Sequence, residues 1–325
     1  MGALLEICDL TTSVKSETGL RDVLSGVSLS ISAGETVGVV GESGCGKSMT
    51  ALSVMGLLGK NASVREGSVL FDGRELLRMS ERELDAVRGH EISMIYQDAL
   101  SALNPVFTVG NQLTETMRAH LDMTRAEAKK RAIELMGRMG LPDPDATMKK
   151  YPHMLSGGQR QRVMIAMALC CSPRLLIADE PTTALDVTVQ AQIMRLLREE
   201  RQASGMSLWL ISHDIGLIAQ TCDRVMVMYA GQIVEAATAR ELFDHPAHPY
   251  TRMLLRSVPR MEGAREELCS IAGQVPARYD ETVGCRFAPR CPHACEACRE
   301  AQPMHTVGEA HEVRCCRAVG KEAAV

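Results

Sequence analysis

Short, uninterrupted apolar runs alternate along this chain with longer stretches that mix apolar and polar positions. Residues 36–40 form an apolar, β-branched run that leads into a glycine, and 92–96, 175–178 and 207–211 share its character. A run without polar alternation predicts a strand covered on both faces. Residues 225–229, the pair Ala230-Gly231 and residues 232–234 predict two strands joined by a tight turn. Helices are predicted at 48–58, 125–139, 157–171, 188–202 and 238–243. Strand–helix alternation of this kind implies an α/β fold with a mainly parallel core sheet. The early candidates 4–10, 27–31 and 67–73 are predicted to form an antiparallel side sheet, and 98–165 a helical subdomain inserted into the fold.

The pattern changes near Arg256. Beyond it come Pro259, Pro276, Pro289, Pro292 and Pro303, several cysteines, and no long periodic element. The chain therefore divides into a domain over 1–256 and a small Cys-rich extension over 257–325.

Composition narrows the function. The 325 residues, 46% of them apolar, suffice for one such domain and an extension. With 36 basic and 40 acidic residues the net charge is -4, which argues against nucleic acid held on a basic face. The opening MGALLEICDL lacks the features of a secretory signal. The longest apolar run, 163–171, is too short to cross a bilayer. A soluble chain is expected, with any membrane role exercised through a partner. Of twelve cysteines, six are Cys285, Cys291, Cys295, Cys298, Cys315 and Cys316, and in a reducing compartment such a cluster points to metal. Aromatics are scarce at 3%, and the twenty Met read as adaptable core filler.

The candidate chemistry centres on phosphate. Gly41-Glu42-Ser43-Gly44-Cys45-Gly46-Lys47-Ser48, running on into Met49, fits the phosphate-loop pattern of Gly, four residues, then Gly-Lys-Ser. It lies between a predicted strand and a predicted helix, as that motif requires. Its glycines let backbone N–H groups turn inward, and the helix start adds a favourable potential for anions. Lys47 is then expected at the β- and γ-phosphates and Ser48 on Mg²⁺. Asp179 and Glu180 close the run 175–178. An acid at the end of a buried strand suits a Mg²⁺ ligand, and the next one is placed to orient or deprotonate water. Leu155-Ser156-Gly157-Gly158-Gln159 supplies a second anion-binding helix start, with Ser156 as its N-cap. Its random occurrence would be on the order of 1 in 2,000, so it carries weight that a lone acidic pair does not.

With both glycine motifs in place the chain resembles the ABC-type ATPases. The resemblance implies that the 155–159 signature of one subunit closes on ATP held by the phosphate loop of another, in a head-to-tail dimer. It assigns Gln97 to Mg²⁺ sensing and coupling to membrane subunits, Asp186 of Ala184-Leu185-Asp186 to the dimer interface, and His213 to the γ-phosphate. With Ser48 and Asp179, the resemblance makes Gln97 a member of the expected Mg²⁺ ligand set. One departure stands out: that family stacks adenine on an aromatic ring well before the phosphate loop, whereas here none precedes Phe71. Thr18 to Arg21 occupy the comparable stretch, so aliphatic atoms or the Arg21 guanidinium are expected against the base.

Three stretches resemble one branch, the oligopeptide and dipeptide importer ATPases. They are Tyr96-Gln97-Asp98-Ala99-Leu100-Ser101-Ala102-Leu103-Asn104-Pro105, the run from Pro181 to Ile193, and His248-Pro249-Tyr250-Thr251. The stretch from Gly284 to Pro292 matches that branch again. The implied partners are permease subunits in the membrane, a second ATPase subunit forming a heterodimer, and, indirectly, a solute-binding protein outside the cell. The implied location is the cytoplasmic face of the bacterial inner membrane. The same branch includes relatives that move nickel or glutathione. It also implies a 4Fe–4S iron–sulfur cluster on Cys285, Cys291, Cys298 and Cys315, with Cys316 or Cys295 as alternates. Zinc or free thiols are the competing readings of the residues. A soluble ABC ATPase with a metal-based redox module is the rival of a different class.

Overall fold

The computed structural model describes residues 2–17, 19–98, 102–183, 186–257, 271, 273–276 and 278–319. In chain order its elements are β1 (Leu5–Ser16), β2 (Gly19–Ile31), β3 (Thr36–Val40), α1 (Lys47–Val54), β4 (Ala62–Phe71), β5 (Arg74–Glu75), α2 (Glu81–Val87) and β6 (Ile92–Ile95). Then come α3 (Val109–His120), α4 (Arg125–Arg138), α5 (Pro144–Met148), α6 (Gly157–Leu169), β7 (Leu175–Asp179), α7 (Val187–Ser204) and β8 (Ser207–Ser212). The chain ends with α8 (Ile215–Thr221), β9 (Arg224–Tyr229), β10 (Gln232–Thr238), α9 (Ala239–Asp244), α10 (Pro249–Arg256), β11 (His305–Gly308), β12 (His311–Val313) and α11 (Cys316–Val319). Contacts divide it into two units: Met1–Ser32, Thr36–Arg78 and Leu210–Val325 in the first, Ala33–Glu35 and Met79–Trp209 in the second.

The first unit contains the antiparallel sheet β2-β1-β4-β5. Its strands run well past the apolar runs that predict them. β1 continues to Ser16 because Thr12 and Ser13 are buried with partners: the Thr12 hydroxyl lies 2.9 Å from that of Ser53, and Ser13 donates to Asp22. Polar residues satisfied in this way are tolerated inside a strand. Leu5, Ile7, Leu10, Leu24, Ile31 and Phe71 form its core. In the same unit β3 pairs in parallel with β9, and β9, β10, β12 and β11 continue antiparallel. The β9–β10 turn is Ala230-Gly231 as expected, both with positive φ, the conformation that matches hairpin twist. β11 and β12 have no counterpart in the sequence reading. They are too short for a periodic signal, and β12 is fixed by long-range pairing: its His311 ring lies 2.8 Å from the Glu235 carboxylate of β10.

The second unit pairs β6 with β7 in parallel, every residue of both buried, as their apolar runs imply. Four helices occupy 109–169, in keeping with the helical reading of 98–165, of which Ala99, Leu100 and Ser101 lie outside the described residues. Their starts are written locally: Thr108, Thr124, Asp143 and Ser156 each accept a backbone N–H at the N-cap. Helices α2 and α5, of 7 and 5 residues, are too short to show an apolar stripe. α2 is nevertheless signalled by its Ser80–Glu83 capping box. β8 begins in this unit at Ser207 and ends in the first. Among the described residues no helix is long and apolar enough to cross a membrane.

Candidate functional site

The glycine loop folds as its pattern demands. β3 delivers the chain at Val40, the loop turns through 41–46, and α1 begins at Lys47. Gly41 and Gly46 are required by the surroundings. A Cβ on Gly41 would stand 2.1 Å from the Met228 carbonyl oxygen. One on Gly46 would stand 2.6 Å from Leu24 Cδ2, at a φ of +109 that side chains disfavour. Lys47 is buried, and its Nζ donates to the carbonyls of Gly41 at 2.7 Å and Glu42 at 3.0 Å. The loop thus closes around a cation whose partners are neutral backbone oxygens. Phosphate oxygens bearing full charge are better acceptors and can replace them. Ser43 and Gly44 are exposed at the mouth. Cys45 is buried beneath them, and burial pushes its thiol up while the Lys47 ammonium pulls the other way.

Residues from the far end of the sequence brace this loop. The Glu42 backbone N–H donates to the Tyr250 hydroxyl at 3.0 Å, and Arg290 reaches both Glu42 carboxylate oxygens, at 3.1 and 3.0 Å. Tyr250 packs on Tyr229 and Phe287, with ring centres 4.7 and 5.4 Å away. Arg286 donates to the Ala230 carbonyl at 2.5 Å and to the Ser25 hydroxyl at 2.9 Å, and the Tyr279 hydroxyl donates to the Val23 carbonyl at 3.2 Å. The sequence reading assigned none of these a role. A signal was present: the chain has one Trp, five Tyr and four Phe, and four of those aromatics meet around one loop.

The comparable edge for the base lies on β2. Arg21 is tied to Asp280 at 3.1 Å, whereas Leu20 is 55% exposed. Of the two expected surfaces, the aliphatic one is presented and the guanidinium is engaged. Thr18 lies outside the described residues. His213 is exposed, directly after β8 and before Asp214, the N-cap of α8.

The second unit carries the remaining candidates. Asp179 ends β7 and is buried. Glu180 follows at φ +47, a left-handed conformation that costs an ordinary side chain about 1–2 kcal/mol and is typical of functional turns. Its Oε2 accepts hydrogen bonds from Gln97 Nε2 at 3.0 Å and from the Thr183 hydroxyl at 2.7 Å. Gln97 and Glu180, 83 positions apart in sequence, are therefore brought together, and Thr183 is a partner that sequence reasoning missed. At 155–159, Ser156 caps α6 in a reciprocal box with Gln159: the Gln159 N–H donates to Ser156 Oγ at 3.3 Å, and the Ser156 N–H to Gln159 Oε1 at 3.1 Å. Leu155 is buried, while Ser156 and Gly157 are exposed, so this helix start faces outward. Asp186 caps α7 through Val189 N at 2.9 Å; Ala184 and Leu185 lie outside the described residues.

The six late cysteines converge, but not in the expected grouping. The sulfurs of Cys295, Cys298 and Cys316 form a near-equilateral triangle with edges of 3.7, 3.9 and 3.9 Å. Of the four cysteines assigned by resemblance, Cys298 alone belongs to it, joined by the two alternates Cys316 and Cys295; Cys285, Cys291 and Cys315 stand nearby, within electrostatic reach of Cys298. The reason is local. Cys295 and Cys298 share one helical turn, and α11 brings Cys316, not Cys315, toward them. A tetrahedral ion with metal–sulfur bonds of about 2.3 Å needs sulfurs about 3.8 Å apart, so the triangle fits soft-metal ligation. Burial pushes the Cys316 thiol up to about 12, so metal binding at the triangle would release its proton.

Two family models match separate parts of this chain. The family described as ABC transporter matches residues 24–183, and the oligopeptide/dipeptide transporter C-terminal region matches 234–298. The chain is 46% identical to the dipeptide transport ATP-binding protein DppD of Bacillus subtilis, over 97% of this chain and 95% of that one. It is 48% identical to the oligopeptide transport ATP-binding protein OppD of Salmonella typhimurium, over 93% of this chain and 90% of that one. Among solved structures, a dimeric post-hydrolysis state of the ATP-binding cassette MJ0796 bound to ADP and Pi superposes with a TM-score of 0.66 at 28% identity. It covers 73% of this chain and 99% of its own.

Proposed function

Since the chain belongs to the oligopeptide/dipeptide branch of ABC-transporter ATP-binding proteins, we propose that it hydrolyses ATP to drive peptide import through membrane permease subunits. The observation that carries this reading is the glycine loop closed on Lys47 in a chain whose Gln97 and Glu180 are already hydrogen-bonded. Lys47 and the loop N–H groups bind the β- and γ-phosphates. Glu180, oriented by Gln97 and Thr183, takes the proton of the attacking water, and His213 contacts the γ-phosphate. Ser48, Gln97 and Asp179 are oxygen donors of the kind Mg²⁺ prefers, and that ion, when bound, supplies charge against the phosphate oxygens. Leu20 supports the base.

The outward-facing start of α6 supports a head-to-tail dimer in which the signature meets the partner's ATP; the partner is a second, different ATPase subunit. Val106 and Phe107, 70% and 47% exposed close after Gln97, support a permease docking surface on that side of the second unit. The place of action is then the cytoplasmic face of the inner membrane, with the solute-binding protein on the other side. The thiol patch is a metal site that stabilises the C-terminal segment, where little apolar core is available. Iron with sulfide in anaerobically purified protein supports a 4Fe–4S cluster; zinc at one per chain supports a single tetrahedral ion.

The test is ATP binding and turnover by Glu180→Gln with its permease present. The expected outcome is retained binding with turnover reduced about 10²–10⁴-fold. Wild-type turnover would remove Glu180 from its role.

A further inference from the structure

Glu42 is the only acidic residue in the phosphate loop. A carboxylate beside a cradle for polyphosphate is an electrostatic liability, because like charges in a partly buried setting repel strongly. Arg290 answers it. Its Nη1 lies 3.1 and 3.0 Å from the two Glu42 oxygens, and its side chain is 6% exposed against 26% for Glu42. The guanidinium is itself pinned. Nη1 also reaches the Tyr229 hydroxyl at 3.3 Å, Nη2 reaches the Ile271 and Gly273 carbonyls at 3.3 Å each, and the group stands 5.8 Å from the centre of the Tyr229 ring. Tyr250 holds the Glu42 N–H from the same side. Glu42 is thus gripped at backbone and side chain, and all of these groups lie within the first unit.

We propose that Arg290 acts on nucleotide affinity through Glu42: it neutralises that carboxylate beside the phosphates, so that the C-terminal segment sets the ATP affinity of the loop. This rests on the reading that the loop holds the phosphates of ATP. Were Arg290 merely an anchor for the C-terminal segment, its bonds to Tyr229 and to the 271 and 273 carbonyls would serve, and the charge of Glu42 would be irrelevant.

The experiment measures the ATP dissociation constant of the full chain by titration calorimetry, with KM and kcat beside it. Arg290→Ala weakens binding about tenfold and raises KM, with kcat at saturating ATP largely kept. Arg290→Lys keeps the charge but loses the planar fork, so it restores only part of the affinity lost in Arg290→Ala. The double variant Arg290→Ala, Glu42→Gln recovers to within about threefold, because the carboxylate that needed neutralising is gone. Unchanged affinity in Arg290→Ala overturns the proposal, and so does a loss that Glu42→Gln fails to repair, since that is the mark of a structural anchor. Should Arg290→Ala not fold, Glu42→Gln alone decides. It leaves an uncompensated cation and binds ATP more tightly; weaker binding overturns the proposal. Lys47→Ala separates the two levels. Retained ATP binding there faults the reading of the loop itself, whereas its loss beside an unchanged Arg290→Ala faults only this inference.

Discussion

The phosphate loop and the thiol patch are both marked by conspicuous residues, yet they differ in what fixes their geometry. The loop is written locally, although distant residues brace it. Its eight residues are contiguous, Gly41 is demanded by the Met228 carbonyl oxygen and Gly46 by the Leu24 and Met228 side chains, and the strand before it and helix after it set its ends. The patch is a product of distance. Its cysteines come from 285 to 316, and which of them meet depends on a 3₁₀ turn at Glu296–Arg299, a short helix at Cys316–Val319, and the pairing of β12 with β10. Spacing therefore announces the loop and its chemistry together, while it announces only that the cysteines are many.

The sharpest way to break the loop side of this comparison is Gly41→Ala. A Cβ 2.1 Å from the Met228 carbonyl oxygen cannot be relieved by a side-chain rotation. The expected outcome is a loss of about 3 kcal/mol or more in stability and of detectable ATP binding, read by thermal unfolding and calorimetry. Near-native binding would mean that the loop is set by something other than its backbone contacts.

Single cysteine-to-serine variants sharpen the other side. The triangle predicts that Cys295→Ser, Cys298→Ser and Cys316→Ser each lower bound metal and the melting temperature of the purified protein. The grouping by resemblance predicts that effect for Cys285, Cys291 and Cys315 in place of 295 and 316. Because a structural metal contributes folding free energy directly, the affected set should lose several degrees, about 4 °C or more. Elemental analysis with the melting curve reads both.

A smaller effect is expected at the staple that carries β12. Burial opposes ionisation of Glu235, yet His311 and the Ala247 and His248 N–H groups hold its carboxyl below the usual range. The hydrogen bond to Glu235 raises His311 above its ordinary 6.5. Facing this pair is Glu241, 3.7 Å from His311 Nδ1, with neutral His248 alongside, lowered by burial to about 4. His311 binds its proton more tightly folded than unfolded. Its contribution is whole below 6.5 and fades as pH rises through the raised folded value. The melting temperature should fall by about 2 °C across that rise, and His311→Gln should abolish the fall. An unchanged pH profile in that variant would assign the effect elsewhere.

What could be read in advance follows the same physical line. Buried parallel strands such as β6 and β7 advertise themselves because both faces are apolar. Capped helices such as α4 and α6 advertise their starts. The apolar pattern stops β1 short because Thr12 and Ser13 are buried polar residues with partners that only the fold supplies. β11 and β12 carry no pattern of their own, since the pairing of β12 with β10 and of β11 with β12 creates them. At the site, the loop, the acidic strand end and the capped signature were legible from contiguous residues. Arg290, Tyr250 and Thr183 were not, because their meaning lies in the partners they meet, Glu42 from 248 and 208 positions away and Glu180 across a left-handed turn.

The most direct test of the central claim is uptake of labelled di- and oligopeptides by source cells carrying this chain as wild type or as Glu180→Gln at equal protein levels. The account predicts that the variant, still binding ATP, loses peptide uptake. Undiminished uptake in cells whose only copy is the variant would contradict it.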